Sequence, residues 1–189
     1  MTTISTTKNA HLESWKRTAL QQAVDAAEAA AALVDSYPPA LTPVTVAQFL
    51  LESDWGRRGM REANNYFGIK ARAGEPSVTL ETTEFVNGKS VVVRQPFREY
   101  GSMAESFADH ARLICERVNG KGQKIYAAAL AHPGDPVAFA HALTGIYATD
   151  PQYGAKLVSI MRDRGLLETF GYVPVFVQAD APPRQPRIV

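Results

Sequence analysis

Residues 42–56 read TPVTVAQFLLESDWG, and they decide the fold because they predict a helix that must be almost entirely buried. Thr42 is predicted as the N-cap and Pro43 as the first helical residue, since the N–H that proline lacks is not needed there. Apolar side chains occupy most of the positions that follow, and Gly56 is expected to end the helix. A helix with so few polar positions belongs in the core of a globular domain.

Glu52 is a carboxylate at the predicted C-terminal end of this helix. Apolar neighbours desolvate its charged form, and the helix C-terminus carries partial negative charge, so both effects raise its pKa. A raised pKa suits a general acid that works near neutral pH. The alternative is a glutamate that only emerges from a buried helix into solvent, and the spacing alone does not decide between the two.

Residues 78–93 predict a β-hairpin, because Asn-Gly at 87–88 is typical of a two-residue type I′ turn. With that turn, Glu81 lies opposite Arg94 and is explained as one half of a cross-strand ion pair. Glu84 falls on the other face, among apolar residues, where an acid has no such explanation. The alternative for Glu84 is an edge-strand acid that bends out to solvent.

Four further helices are predicted around these two elements. They cover residues 13–37, residues 102–118 after a capping box, residues 135–146, and a last segment opened by Asp150. The predicted fold class is therefore α+β and mostly helical, with one hairpin inserted between helices. Residues 1–10 are expected to be disordered, 11–171 to form the domain, and 172–189 to form an extended tail.

Composition and charge narrow the possible functions. A formal net charge of +1 over 189 residues gives no reason to expect nucleic acid or membrane as a partner. With Cys115 as the single cysteine and four histidines without ligand spacing, we expect no disulfide, metal or cofactor. No apolar run is long enough for membrane insertion, and the N-terminus lacks a secretory pattern. We expect a monomer.

Four sequence blocks, in order, resemble the glucosaminidase family of peptidoglycan hydrolases, glycoside hydrolase family 73. That family includes the flagellar muramidase-like domain, autolysins and phage lysins. The blocks are LESDWG at 51–56, NNYFGIK at 64–70, FREYGS at 97–102 leading into AESFAD at 104–109, and YATDPQY at 147–153. The resemblance spans about residues 15–170 and implies a lysozyme-like fold, in which a helical lobe and a β-hairpin lobe flank a cleft.

The resemblance also implies roles for individual residues. Glu52 matches the catalytic glutamate of the family pattern Glu-Ser-Gly-Trp-Gly, although Asp54 stands where the family usually has glycine. Glu84 matches the second glutamate, which follows two threonines and precedes an Asn-Gly turn, and it would serve as base or electrostatic stabiliser. Tyr147, Tyr153 or both would lie in the cleft, where tyrosine offers an apolar face and a hydroxyl to a sugar.

Three more residues complete the predicted substrate contacts. Asn65 and Tyr66 are expected to line the groove, and Trp55 is expected to form part of its wall or of the core. The alternative for Tyr147 and Tyr153 is a pair of half-buried tyrosines that bracket the start of a helix.

The sequence therefore predicts an endo-β-N-acetylglucosaminidase that cleaves the N-acetylglucosaminyl-β-1,4-N-acetylmuramic acid bond in peptidoglycan glycan strands. One alternative is a muramidase or lytic transglycosylase on the same fold, and another is a non-catalytic wall-binding or assembly module. The missing secretory pattern predicts a protein made in the cytoplasm that reaches the cell wall by holin-type release, as a phage-type lysin, or by dedicated export.

Overall fold

The computed structural model describes residues 2–57, 61–86 and 89–172. Its helices and strands, in chain order, are α1 (Thr6–Asn9), α2 (Ser14–Ala31), α3 (Leu41–Glu52), β1 (Ser77–Val86), β2 (Lys89–Arg98), α4 (Met103–Glu116), α5 (Ala127–Leu130), α6 (Pro136–Ala142), α7 (Tyr153–Asp163) and α8 (Leu166–Thr169). The predicted class, mostly helical with one hairpin between helices, is confirmed. No helix in these described ranges is long and apolar enough to cross a bilayer.

Helix α3 is the centre of the domain, as its sequence predicts, because every residue from 41 to 50 is buried. The prediction that Thr42 caps it is wrong: α3 begins at Leu41, and Ala40 occupies the cap position without a side-chain bond. The carbonyl of Pro38 accepts the Leu41 N–H at 2.9 Å, so the first turn closes earlier than the side chains suggest. Pro43 still lies in that first turn, where its missing N–H costs nothing.

Helix α3 ends at Glu52 rather than next to Gly56. The side chain of Ser53 donates to the Phe49 carbonyl at 2.5 Å and accepts the Gly56 N–H at 2.8 Å. Asp54, with φ +48°, begins a left-handed run of three residues that turns the chain away from the helix axis. This turn leaves Glu52 as the last helical residue, at the point where the core meets solvent.

The first residues of the chain, predicted to be disordered, instead pack against the domain. Ile4 is buried in the core, and Asn9 donates from Nδ2 to the carbonyl of Arg164 at the end of α7, at 3.0 Å. Lys8 forms an ion pair with Glu168 at 2.6 Å. The segment is polar enough to look disordered, but its asparagine supplies a donor that the end of a helix needs. Of the tail predicted for residues 172–189, everything from 173 onward lies outside the described residues.

The other helices begin close to where the sequence predicts. At α4, Ser102 accepts the Glu105 N–H at 3.2 Å, as predicted. Asp135 caps α6, but Asp150 does not cap α7, which begins at Tyr153 after Gln152. The Asp150 carboxylate instead accepts the Gln152 N–H at 2.8 Å, within the turn that leads into the helix.

Helices α6 and α7 meet with their backbones in close approach. A Cβ at Gly154 would lie 2.6 Å from the Cα of His141 and 2.8 Å from the carbonyl oxygen of Ala140. Real Cβ atoms do not approach backbone that closely, so only glycine allows this packing. The contact fixes the first turn of α7 against α6.

The hairpin has the register that the Asn-Gly turn predicts. Glu81 pairs with Arg94 and Glu84 with Val91, while the turn at 87–88 lies outside the described residues. The hairpin stands away from the helices, since Leu80 and Val91, which share one of its faces, remain 38% and 41% exposed. A face of the hairpin that the sequence predicts as apolar is therefore left largely open.

Candidate active site

Glu52 lies at the surface end of the buried helix α3, and its carboxylate reaches solvent. Surrounding protein atoms nevertheless desolvate it in part, and this burial raises its pKa above the usual range for glutamate. A hydrogen bond from Tyr153 acts in the opposite direction, because it stabilises the charged carboxylate. The net shift has the direction that the sequence predicts and that a general acid requires.

Tyr153 is buried at the start of α7 and holds the Glu52 carboxylate. Its hydroxyl donates to Glu52 Oε1 at 2.8 Å and accepts a hydrogen bond from Gln48 Nε2 at 3.0 Å. Burial raises the pKa of the Tyr153 hydroxyl far above its ordinary value, and the nearby Tyr147 and Glu52 raise it further. The hydroxyl therefore keeps its proton and acts as a donor to the carboxylate.

Tyr147 lies beside this pair and is half-buried. Its ring stacks on that of Tyr153, with centroids 5.7 Å apart and planes 16° from parallel. On another side it meets the ring of His110, edge to face, at 5.7 Å. Burial raises the pKa of the Tyr147 hydroxyl, and the charge of Glu52 raises it further. The structure thus brings both predicted tyrosines to Glu52.

His110 is a fully buried residue behind the tyrosines. Its ring stacks on Phe67 at 4.0 Å, and neither ring nitrogen has a hydrogen-bond partner within the described part of the chain. Burial lowers its pKa to about 3, so the imidazole is neutral at physiological pH. It serves here as an aromatic packing element against Tyr147.

Trp55 and Tyr66 lie around a separate depression. This cavity, of about 550 Å³, is lined by residues that include Trp15, Trp55, Tyr66 and Met103, and Glu52 is not among its lining residues. The Trp55 ring is bordered by Arg164, whose guanidinium carbon lies 5.5 Å from the ring centroid. The two aromatic residues therefore line a cavity whose lining does not include Glu52, and their contact with substrate stays a prediction.

Asn65, predicted to line the groove, is only 1% exposed. It donates from Nδ2 to the carbonyls of Ile69 and Arg98, at 2.9 and 2.8 Å, and its Oδ1 accepts the Ile69 N–H at 3.0 Å. An amide enclosed in this way is not available to a sugar. We correct its role to a structural one, because it ties the loop after Ala63 to the base of β2.

Glu84 is located by register alone. It pairs with Val91 in the hairpin, and its side chain lies outside the described residues. Its role stays a prediction.

Gln48 is a site residue that the sequence analysis misses. It lies one turn before Glu52 on α3 and is fully buried. The available signal is a single amide in the middle of an apolar helix, four residues before the candidate acid, where side chains share a face. No group of three acidic, histidine or cysteine side chains in the described ranges could hold a metal ion.

The comparison with protein-family models decides the family. Residues 24–166 match the Glucosaminidase model, described as mannosyl-glycoprotein endo-beta-N-acetylglucosaminidase. The chain belongs to the glucosaminidase family. The resemblance seen in the four sequence blocks is thereby confirmed, and with it the assignment to the glycoside hydrolases.

Individual members of the glucosaminidase family are similar over most of this domain. An autolysin of Enterococcus faecalis is 41% identical over 121 residues, which are 62% of this chain and 16% of the relative. A probable N-acetylmuramidase of Lactococcus lactis is 40% identical over 125 residues, 65% of this chain and 28% of the relative. This chain thus spans less than a third of the length of these two curated relatives.

A solved glucosaminidase-family structure has the same fold. The catalytic domain of the autolysin Auto from Listeria monocytogenes superposes with a TM-score of 0.71 at 27% identity, covering 85% of this chain and 92% of that one. The lysozyme-like class expected for the family is confirmed by such neighbours.

Proposed function

We propose that this domain is an endo-β-N-acetylglucosaminidase that hydrolyses the glycan strands of peptidoglycan. The observation that carries the proposal is the carboxyl group of Glu52, which lies at the end of a buried helix with a raised pKa and is held by the Tyr153 hydroxyl at 2.8 Å. Family membership supports the sugar specificity. The names of the relatives, an autolysin and a probable N-acetylmuramidase, support a wall polymer as substrate.

In this proposal Glu52 is the general acid. Its proton passes to the glycosidic oxygen while the bond from that oxygen to the anomeric carbon breaks, and the electron pair stays on the oxygen. The oxygen of a water molecule then forms the new bond to the anomeric carbon, and one proton of that water passes to a carboxylate of the site. The Tyr153 hydroxyl keeps its own proton and stabilises the carboxylate that results. Tyr147, stacked on Tyr153 beside the carboxylate, offers an aromatic face to a pyranose ring.

Glu84 is the second carboxylate of the proposal and acts as base or electrostatic stabiliser on the opposite face of the sugar. Its support is the hairpin register, since pleating assigns positions 78, 80, 82 and 84 to the same face as Phe97. Phe97 is buried where the hairpin joins the domain. Position 84 therefore belongs to the face of the hairpin that is buried at its base.

The experiment is digestion of purified peptidoglycan, with mass spectrometry of the fragments after borohydride reduction. We expect fragments ending in reduced N-acetylglucosamine, and a loss of about 100-fold to 10,000-fold in Glu52→Gln, since a general acid typically contributes 10²–10⁴-fold. Glu84→Gln should also lose activity. Glu81→Gln is the matched control, because this exposed glutamate is in the same strand and pairs with Arg94.

A muramidase is the second candidate, favoured by the name of the Lactococcus lactis relative. It would leave reduced N-acetylmuramic acid at the new ends, and a lytic transglycosylase would leave anhydro ends. Either product would move the cut to the other glycosidic bond. Full activity in Glu52→Gln would contradict the assignment of the acid, whichever bond is cut.

We also propose that the domain acts as a monomer in a phage-type lysin, delivered to the wall through a holin lesion. Peptidoglycan lies outside the cytoplasmic membrane, so an enzyme made inside the cell must be released to reach it. Expression in the cytoplasm with and without a co-expressed holin tests this. Lysis only with both supports the lysin, and lysis without the holin indicates export by another route. Light scattering of the purified protein tests the monomer.

A further inference from the structure

Gln48 is the buried amide behind the candidate acid. It lies in α3 four residues before Glu52 and is fully enclosed. Its Nε2 donates to the Tyr153 hydroxyl at 3.0 Å, and that hydroxyl lies 2.8 Å from Glu52 Oε1. The three groups form a short chain from the core to the surface.

The direction of this chain follows from the number of protons. A tyrosine hydroxyl has one proton and can also accept a hydrogen bond, whereas an amide nitrogen can only donate. Since Gln48 Nε2 donates to Tyr153, the hydroxyl proton is left to point at Glu52. Accepting one bond also makes the hydroxyl a stronger donor in the next.

The amide of Gln48 is costly to keep in the core. Its Oε1 is buried without a hydrogen-bond partner among the described residues, although the surrounding helix is apolar. Burying an unpaired carbonyl oxygen opposes folding, and an apolar side chain of the same length would avoid that cost. A local rule broken in this way, next to a reacting group, is a sign of function.

We propose that Gln48 is a positioning residue that directs the proton of the Tyr153 hydroxyl at Glu52. It thereby stabilises the carboxylate that Glu52 becomes when its proton moves to the leaving oxygen. The proposal rests on the role of Glu52 as general acid. Gln48 itself does not touch substrate, and its effect passes through Tyr153 alone.

The test is a double-mutant cycle of Gln48→Met and Tyr153→Phe, with the pH profile of kcat/KM as readout. Gln48→Met leaves the hydroxyl free to rotate and weakens its bond to the carboxylate, so the pKa of Glu52 rises. We expect the basic limb of the profile to move up by roughly half a pH unit and kcat to fall by about threefold to tenfold. In the Tyr153→Phe background, Gln48→Met should cause no further shift.

A second readout does not depend on activity. The pKa of Glu52, followed by carboxyl carbon NMR during a pH titration, should rise in Gln48→Met and in Tyr153→Phe, but not more in the double variant. Thr45→Val is the matched control, because it also alters a fully buried polar side chain of α3. Gln48→Leu repeats the test with another apolar shape, and thermal unfolding verifies that each variant is folded.

The outcomes separate the two proposals. A Glu52 pKa that is the same in Gln48→Met and wild type, or that shifts equally with and without the Tyr153 hydroxyl, overturns the positioning role. An active Glu52→Gln variant overturns the proposed general acid instead. The pKa of Glu52 in the NMR titration then still decides whether Gln48 acts on that carboxylate through Tyr153.

Discussion

The two candidate carboxylates are carried by very different parts of the molecule. Glu52 ends a helix whose residues 41–50 are all buried, and its partner Tyr153 is only 3% exposed. Glu84 belongs to a two-stranded hairpin in which Val92 is 65% exposed. One acid is thus held by the core, while the position of the other depends on how the hairpin is attached.

The attachment is a compact polar cluster at the base of the hairpin. Arg98 bridges Asp109 of α4 and Glu75, with both contacts at 2.7 Å, and the Tyr100 hydroxyl donates to Asp109 at 2.6 Å. Asn65 adds three bonds to backbone groups. Packing of α3 in the core thus positions Glu52, whereas hydrogen bonds and ion pairs position the hairpin that carries Glu84.

Replacing Asn65 by alanine should separate the two regions and have the largest effect on stability. It removes three hydrogen bonds to backbone groups, including the one that the buried Ile69 N–H donates, so we expect a loss of about 3 kcal/mol in the free energy of unfolding. Activity should fall with it, because the hairpin loses its fixed position. Hydrogen exchange should speed up in β1 and β2, while α3 remains protected.

Asn119→Ala is the control for Asn65→Ala, since the side-chain bonds of Asn119 are exposed. It should change the free energy of unfolding by less than about 1 kcal/mol. Equal loss of protection in α3 and in the hairpin would contradict the comparison, because it would mean that the two regions unfold together.

The packed region should respond to acid through His110. Its pKa is lowered by burial from 6.5 to about 3, so between these two pH values the unfolded chain binds a proton at His110 and the folded chain does not. Stability from this group is therefore present above pH 6.5 and is lost as the pH falls. Between pH 7 and pH 4.5 we expect a loss of roughly 2–3 kcal/mol in the free energy of unfolding.

Urea unfolding at these two pH values measures that loss. His110→Phe keeps an aromatic ring against Phe67 and removes the titrating group. Between pH 7 and pH 4.5, the free energy of unfolding of this variant should therefore fall less than that of wild type, and the difference should be about the loss given above. His132→Asn, at an exposed position, should behave as wild type. The interpretation fails if His110→Phe is as acid-sensitive as the parent protein.

The smallest effect is expected at the turn that joins the two regions. Asp54 has a left-handed backbone with φ +48°, which glycine adopts without strain, and glycine is the residue of the family pattern at this place. Relief of strain should exceed loss of the exposed ion pair with Arg57, so Asp54→Gly should be more stable by roughly 0.5 kcal/mol.

Thermal unfolding detects such a change, and activity should stay near wild type. Ser36→Gly tests the same relief away from the site, since Ser36 is exposed with φ +57°. If Ser36→Gly stabilises and Asp54→Gly destabilises, Asp54 has a local role that strain does not describe.

Local signals in the sequence were enough for the class of fold and for the main elements. The buried helix α3, the hairpin register and the cap of α6 each follow from a few neighbouring residues. Long-range partners were not predictable in this way. Nothing near Asn65 in sequence indicates that its amide reaches the carbonyl of Arg98, and nothing near Ile4 indicates that it enters the core.

In the candidate site, too, local features could be predicted from the sequence and long-range contacts could not. The direction of the pKa shift of Glu52 could be predicted from its apolar neighbours, because desolvation raises the pKa of a carboxyl group. The contact between Gln48 and Tyr153 joins residues 105 positions apart, so only the fold brings them together. Both prolines before α3 also lend carbonyls to its first turn, which moved the start of the helix away from Thr42.

Gly154 is a position outside the proposed site at which substitution should nevertheless affect that site. Any side chain there would push α7 away from α6, because its Cβ would lie 2.6 Å from the Cα of His141. Its neighbour Tyr153 would move too, and with it the only hydroxyl bonded to Glu52 within the described residues. A substitution at Gly154 should therefore disturb the position of Glu52, although no residue of the proposed site is itself changed.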